Sequence, residues 1–169
     1  MPLISVDIEA DGPIPGDYSM ISFGAVIIDE KLDKQFYGEL KPISKKWEPN
    51  ALVISGFTRE ETLKFDNPEI VLERFSEWLR LNIKNERAIF IADNNGFDFM
   101  FMHWYFIHFK NIDPFGYSSQ NIGSLYKGMM KDMTVNFKHL RKSKHTHNAL
   151  DDAIGNAEAI LEMRKMGLK

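Results

Sequence analysis

The sequence predicts one α/β domain over residues 1–169, with three antiparallel strands leading and later strands alternating with helices. Three observations carry this. Two runs of strand character, LISVDIEA and MISFGAVIID, flank a turn-forming DGPIPGDYS near the N-terminus. A short, wholly apolar AIFIA follows later, as expected of a strand buried on both faces. Between and after these lie segments with helical spacing and recognisable helix starts.

In chain order, LISVDIEA reads as the first strand and MISFGAVIID as the second. KQFYGELKPI alternates well enough for a third, paired antiparallel with the second. Thr58 to Glu61, TREE, is a capping box opening a short helix. Asn67 and Pro68 cap a stronger helix with Ile70, Val71, Phe75, Trp78 and Leu79 on its apolar side. After AIFIA, an aromatic-rich helix runs from about Phe97 to Lys110. SQNIGSLYKGMMKD reads as helical, VNFKHLRKSKHT is ambiguous, and a last helix runs from about Asn148 to Met166. There is no repeat, low-complexity tract or linker, so one domain accounts for the chain.

A chain of 169 residues, 44% hydrophobic and 27% charged, suits one soluble globular domain with a real core. No apolar run reaches membrane-spanning length, and MPLISVDIEADG, where acids arrive at once, does not read as a secretory leader. The chain has no cysteine, which excludes disulfides and thiolate metal sites and fits a reducing cytoplasm. Net charge is −3, against a general polyanion binder. The charge is uneven, however: Gly123 to His147 carries Lys127, Lys131, Lys138, Arg141, Lys142 and Lys144 against Asp132 alone, while Asp7, Glu9, Asp11 and Asp17 gather near the N-terminus. A basic run is often a solvated face. Beside an acidic cluster it also suits an enzyme acting on phosphate esters, with carboxylates holding cations and basic residues holding the backbone.

Asp7 and Glu9 lie two apart on a strand and so share a face, opposite Val6 and Ile8. Because Leu3, Ile4, Val6 and Ile8 mark the strand as central, its acids are expected to be partly buried, where like charges are costly without a cation. Oxygen ligands suit a hard ion, Mg²⁺ or Mn²⁺. In FIADNNGFDFMF, Asp98 falls in the first turn of a helix, where it also reads as an acid complementing the helix dipole, and Asp93 reads as a helix cap. In HTHNALDDAIGNAEAI, Asn148 is a good N-cap, and Asp151 and Asp152 suit the same dipole. His145 and His147 form an H-x-H pair able to chelate zinc on a strand, but no third ligand suggests itself and the carboxylates favour a harder metal. His103 and His108 read as packing or surface residues, and Trp104, Tyr105 and Phe106 as core.

DIE at 7–9, NNGFD at 94–98 and HNALDD at 147–152, in this order, resemble the DEDD superfamily of 3′–5′ exonucleases. That group includes the proofreading exonuclease of bacterial replicative polymerases, oligoribonuclease and ribonuclease T. The resemblance covers nearly the whole chain. MISFGAVIID matches the family's second strand, and ISGFT a segment between its first two motifs. The tyrosine branch has Tyr four residues before the last aspartate; that position is Asn148, while His147 stands five before Asp152, so the histidine branch is indicated. The small, stand-alone exoribonuclease-type members are the most similar.

The resemblance implies a ribonuclease H-like fold, a mixed sheet flanked by helices. It implies catalytic roles for Asp7, Glu9, Asp98, His147 and Asp152, and two divalent cations, Mg²⁺ or Mn²⁺, about 3.5–4 Å apart. Asp7, Glu9 and Asp152 would hold one, and Asp7 with substrate phosphate the other, with Asp98 acting directly or through water. His147 would take the proton from the attacking water, swinging in from its loop, and the product would be a nucleoside 5′-monophosphate. Substrate contacts are expected from Ala10, Asp11 and Gly12 (where the family often has Thr first), from Phe57 by stacking, and from Asn94, Arg141 and Lys144. His145 would at most assist a substrate phosphate. RNA is favoured over DNA on the resemblance alone, a DNA exonuclease serving repair or proofreading is the second reading, a homodimer is expected, and no membrane is involved. A non-catalytic binding module of the same fold should have lost some of the five residues, and all five are present.

Overall fold

The computed structural model describes residues 1–84 and 86–169. Its centre is a five-stranded mixed sheet in the order β3-β2-β1-β4-β5. Strands β1 (Leu3–Ala10), β2 (Met20–Ile27) and β3 (Gln35–Glu39) pair antiparallel, while β4 (Ile89–Ala92) runs parallel to β1 on its other side. β1 is thus central, as its apolar residues implied. Ile4, Val6 and Ile8 face a core shared with Phe23, Phe75, Phe90 and Phe101. Ser5, Asp7 and Glu9 alternate onto the opposite face.

Helices α1 (Pro49–Ser55), α2 (Arg59–Thr62), α3 (Pro68–Ile83), α4 (Asn95–Lys110), α5 (Ile122–Met130) and α6 (Ala149–Lys165) complete the chain. α3 and α4 contribute to the core on one face of the sheet, and α5 and α6 to that on the other. The expected capping box forms: Thr58 and Glu61 bond reciprocally to open α2. No described helix is long and apolar enough to cross a membrane.

Several elements differ from expectation. SQNIGSLYKGMMKD is not helical throughout: Ser119–Asn121 forms β5, parallel to β4. The open edge of β4 takes these polar residues as a ladder partner, and Asn121 then caps α5 through Ser124 N–H. VNFKHLRKSKHT holds only a 3₁₀ turn at Lys138–Leu140. α1 has no counterpart in the sequence reading; Pro49 opens it and Gly56, at φ 77°, closes it. Asn67 stands at the N-cap of α3 without a side-chain cap bond. Ile70 is 51% exposed, and Leu72 packs inward in its place.

α6 packs closely against the sheet. Its inward residues Ala149, Ala153 and Ala157 are small and fully buried. The buried Ser5 hydroxyl donates to Ala153 O at 2.7 Å. On β2, Gly24 pairs with Asp7, and a Cβ placed there would fall 2.3 Å from Leu150 Cα and 2.5 Å from Ala149 O. Those atoms are helix backbone and have no rotamer to yield. Gly24→Ala should therefore cost at least the upper part of the roughly 1–3 kcal/mol typical of overpacking. It should also displace Asp152 from Asp7. The checks are the denaturant midpoint and Mn²⁺-induced thermal stabilisation; an Ala variant with wild-type stability and metal response would contradict the close approach.

Candidate active site

Four carboxylates converge from three elements. Asp7 and Glu9 project from the polar face of β1, Asp98 from the first turn of α4, and Asp152 from the first turn of α6. Carboxylate oxygens of Asp7, Glu9 and Asp152 lie within 4.8 Å of one another. Asp98 is buried, and its Oδ2 has no hydrogen-bond partner among the described residues.

Burial raises all three of Asp7, Glu9 and Asp98. The Asp7 carboxyl is held well above its ordinary value first by desolvation, then by the charges of Asp98, Glu9 and Asp152, with Arg141 opposing. Glu9 is pushed up to about 7 by burial and by Asp152. Asp98 is raised by burial and by Asp93 and Glu9, against hydrogen bonding from the Ile8 and Asn94 backbone. A divalent cation would neutralise this crowd, and an orphaned buried oxygen beside three clustered carboxylates suits hard-metal ligation.

Asp152 is satisfied by the loop before it. His145 Nδ1 lies 2.6 Å from Oδ1, and the His147 amide donates to Oδ2 at 3.1 Å. The Asn148 side chain caps α6 as expected, accepting from Leu150 and Asp151 N–H. His147 has φ 59°, in the left-handed region that non-glycine residues adopt at a cost, and its side chain is exposed beside the clustered acids. His145 is closer to Asp152 than a bystander would be. The spacing that singled out His147 carried no signal for it.

Two expected substrate contacts are corrected. Arg141 is no free backbone clamp: its side chain is only 9% exposed and its guanidinium bonds Asp93 at 3.1 Å and Asn156 at 2.5 Å, over the Phe137 ring. Asp93 accordingly does not cap α4; it neutralises Arg141, and Asn94 takes the N-cap position without a side-chain bond. Asp11 is fully buried, accepting from the Ser19 amide at 2.5 Å and from Arg59 at 2.8 Å, so it joins β1 to α2 and presents nothing to a ligand. Ala10 and Gly12 are buried as well, and a Cβ on Gly12 would enter the Tyr18 ring. Asn94 and Lys144 are exposed, and Phe57 is half-buried against Phe65. In the rest of the basic run, Lys142 pairs with Glu162 and Lys138 approaches Asp93.

The exonuclease family of the RNase T type matches residues 4–160. A 3′–5′ DNA exonuclease of Escherichia coli is 34% identical over 164 residues, covering 95% of this chain and 85% of the relative. Among solved structures, the nuclease domain of 3′hExo, a DEDDh family member bound to rAMP, aligns at TM-score 0.75 with 17% identity over 98% of this chain and 92% of that one. Escherichia coli exonuclease I, in a zinc-bound complex with single-stranded DNA, aligns at 0.71 with 18% identity over 98% of this chain and 41% of its own. At these identities the structural likeness shows the fold, which is ribonuclease H-like.

Two outcomes follow from the geometry. For Glu9, the folded value near 7 lies above its ordinary 4.5, so its contribution to metal-free stability is full below about 4.5 and is lost as pH rises to about 7. In chelator, the Tm difference between Glu9→Gln and wild type should grow in favour of Gln across that window; a constant difference would contradict the raised carboxyl. Arg141→Ala leaves Asp93 half-buried without its main partner. It should lose stability at the lower end of the roughly 3–5 kcal/mol seen for broken buried pairs, read from denaturant unfolding.

Proposed function

The chain belongs to the RNase T exonuclease family of the DEDD superfamily, and on that footing we propose that it is a metal-dependent enzyme that removes nucleoside 5′-monophosphates from the 3′ ends of single-stranded DNA. The observation that carries the reading is the meeting of Asp7, Glu9 and Asp152 within 4.8 Å beside the unpartnered Asp98 oxygen. RNA, expected from the resemblance, gives way to DNA here because the relative at 34% identity is named for DNA. A cytoplasmic setting belongs to the same reading, on the absence of cysteine.

Asp7, Glu9 and Asp152 would hold one divalent cation, and Asp7 with Asp98 the second. When bound, such ions neutralise phosphate charge and make water a competent nucleophile near neutral pH. The residues supply the remainder. The backbone of Asp7 and Glu9 is fixed by pairing with β2, so both side chains leave the same face of the sheet before any ligand arrives. His147, exposed on its loop, accepts the proton of the attacking water through its imidazole. Lys144 is exposed on the same loop, available to the phosphodiester backbone. Phe57 offers an aromatic face to a terminal base.

The test uses 5′-labelled single-stranded DNA, single-stranded RNA and duplexes with 3′ overhangs, with Mg²⁺ or Mn²⁺. A ladder shortening from the 3′ end is expected, fastest on DNA; internal cuts, or cleavage in chelator, would overturn the reading. Faster RNA decay would return the substrate to RNA. Asp7→Asn should abolish turnover and Mn²⁺-induced stabilisation while the protein stays folded, since removing one crowded carboxylate relieves repulsion. His147→Ala should lower kcat about 10²–10⁴-fold with metal binding largely retained. Near wild-type kcat in that variant would remove His147 from the role of base.

A further inference from the structure

We propose that His145, His147 and Asp152 form a zinc site on the loop leading into α6, and that a zinc ion held there arrests the enzyme by occupying the imidazole of His147. One ligand atom from each of the three residues lies within 4.8 Å of the others. This set shares only Asp152 with the acidic cluster, and its donors are of a different kind. Two imidazoles and a carboxylate suit a borderline ion such as Zn²⁺, whereas Mg²⁺ prefers oxygen alone. The third ligand that the H-x-H pair lacks in the sequence comes from the helix that follows it.

The loop already holds the donors together. Thr146, between the histidines, turns the other way: its hydroxyl donates to Asp151 at 2.9 Å and accepts from the Asn148 amide at 3.3 Å. Both imidazoles are thereby left on one side, with ring centroids 4.3 Å apart. The proton shared by His145 Nδ1 and Asp152 Oδ1 marks where the ion would enter. Replacing it widens that 2.6 Å contact to about 3.3 Å, the ligand separation of a tetrahedral ion with bonds near 2.0–2.1 Å. A neutral His145 keeps its proton by moving it to Nε2 as Nδ1 takes the ion, and only an imidazolium would release one to solvent. His145 is half-exposed and Asp152 only 1% exposed, so the ion arrives from solvent onto a buried anchor. Three protein ligands leave a fourth position for water.

Arrest rests on the exonuclease reading with His147 as base; zinc binding does not. Binding is therefore measured apart from turnover. The full-length protein, stripped with chelator, is titrated with Zn²⁺ against a chromogenic chelator and with Co²⁺ for the visible band of a tetrahedral site, as wild type, His145→Ala and Asp7→Asn. Wild type and Asp7→Asn should bind alike, and His145→Ala at least about tenfold more weakly, as expected for a lost ligand. Turnover of labelled single-stranded DNA in saturating Mg²⁺ is then followed over a Zn²⁺ series. With each variant's turnover normalised to its own rate without zinc, His145→Ala should need at least about tenfold more zinc for half-inhibition. Equal binding by His145→Ala, or loss of the ion in Asp7→Asn, would place the zinc among the acids and overturn the site. Binding without inhibition would overturn the arrest. Absence of turnover in Mg²⁺ alone would instead sink the exonuclease reading and leave the binding result standing.

Discussion

The arrangement depends on how closely α6 approaches β1 and β2. Asp152 belongs to a helix that is last in the chain, and Asp7 and Glu9 to its first strand. What joins them is a close approach of backbone to backbone, Gly24 against Ala149 and Leu150, fastened by the Ser5 hydroxyl on Ala153 O. β2 matters because Gly24 is the direct partner of Asp7 in the ladder. A residue of any size there would lift the helix where the two acids must meet. The alanine row on α6 serves the same end, since larger residues would widen the gap.

That closeness sets the electrostatics. Carboxylates brought together in partial burial raise one another's affinity for protons, and Asp7, Glu9 and Asp98 are all raised with burial as the first cause. Without cations the fold bears this cost, which is one way a binding site trades stability for affinity. Arg141 relieves part of it from the side, acting on Asp7 while its guanidinium is committed to Asp93 and Asn156. Its charge is structural and electrostatic at once, and a place in a basic run does not distinguish that role from contact with the nucleic-acid backbone.

Much of the fold was legible because it rests on local periodicity. The three leading strands, the apolar β4, the proline-opened α3 and the capped α6 all show their pattern within ten to twenty residues. β5 was illegible because three polar residues become a strand only when β4 offers an edge. α1 was missed because its seven residues leave Val53 and Ile54 exposed and show no apolar face. The acids of the site were legible because each motif has a fixed place on a strand end or helix start. Asp11 was not, because its burial is decided by Ser19 and by Arg59, 48 residues away. His145 failed for the same reason: nothing in its own neighbourhood shows that Asp152 turns back to meet it.

The histidine loop is anchored on both sides. Upstream, Glu158 accepts from the amides of Lys142 and Ser143 and from the Ser143 hydroxyl, and Arg141 is buried. Downstream, Asn148 caps α6. Only residues 144–147 lie between these anchors, and they carry both histidines and Lys144. A swing of His147 toward the acids is then a local change in four residues, centred on a backbone already in the left-handed region. Because the amide of His147 and the ring of His145 both engage Asp152, any such change must alter how that carboxylate is held. The candidate base and the acid on α6 are therefore coupled through one short loop, and neither can be repositioned without the other.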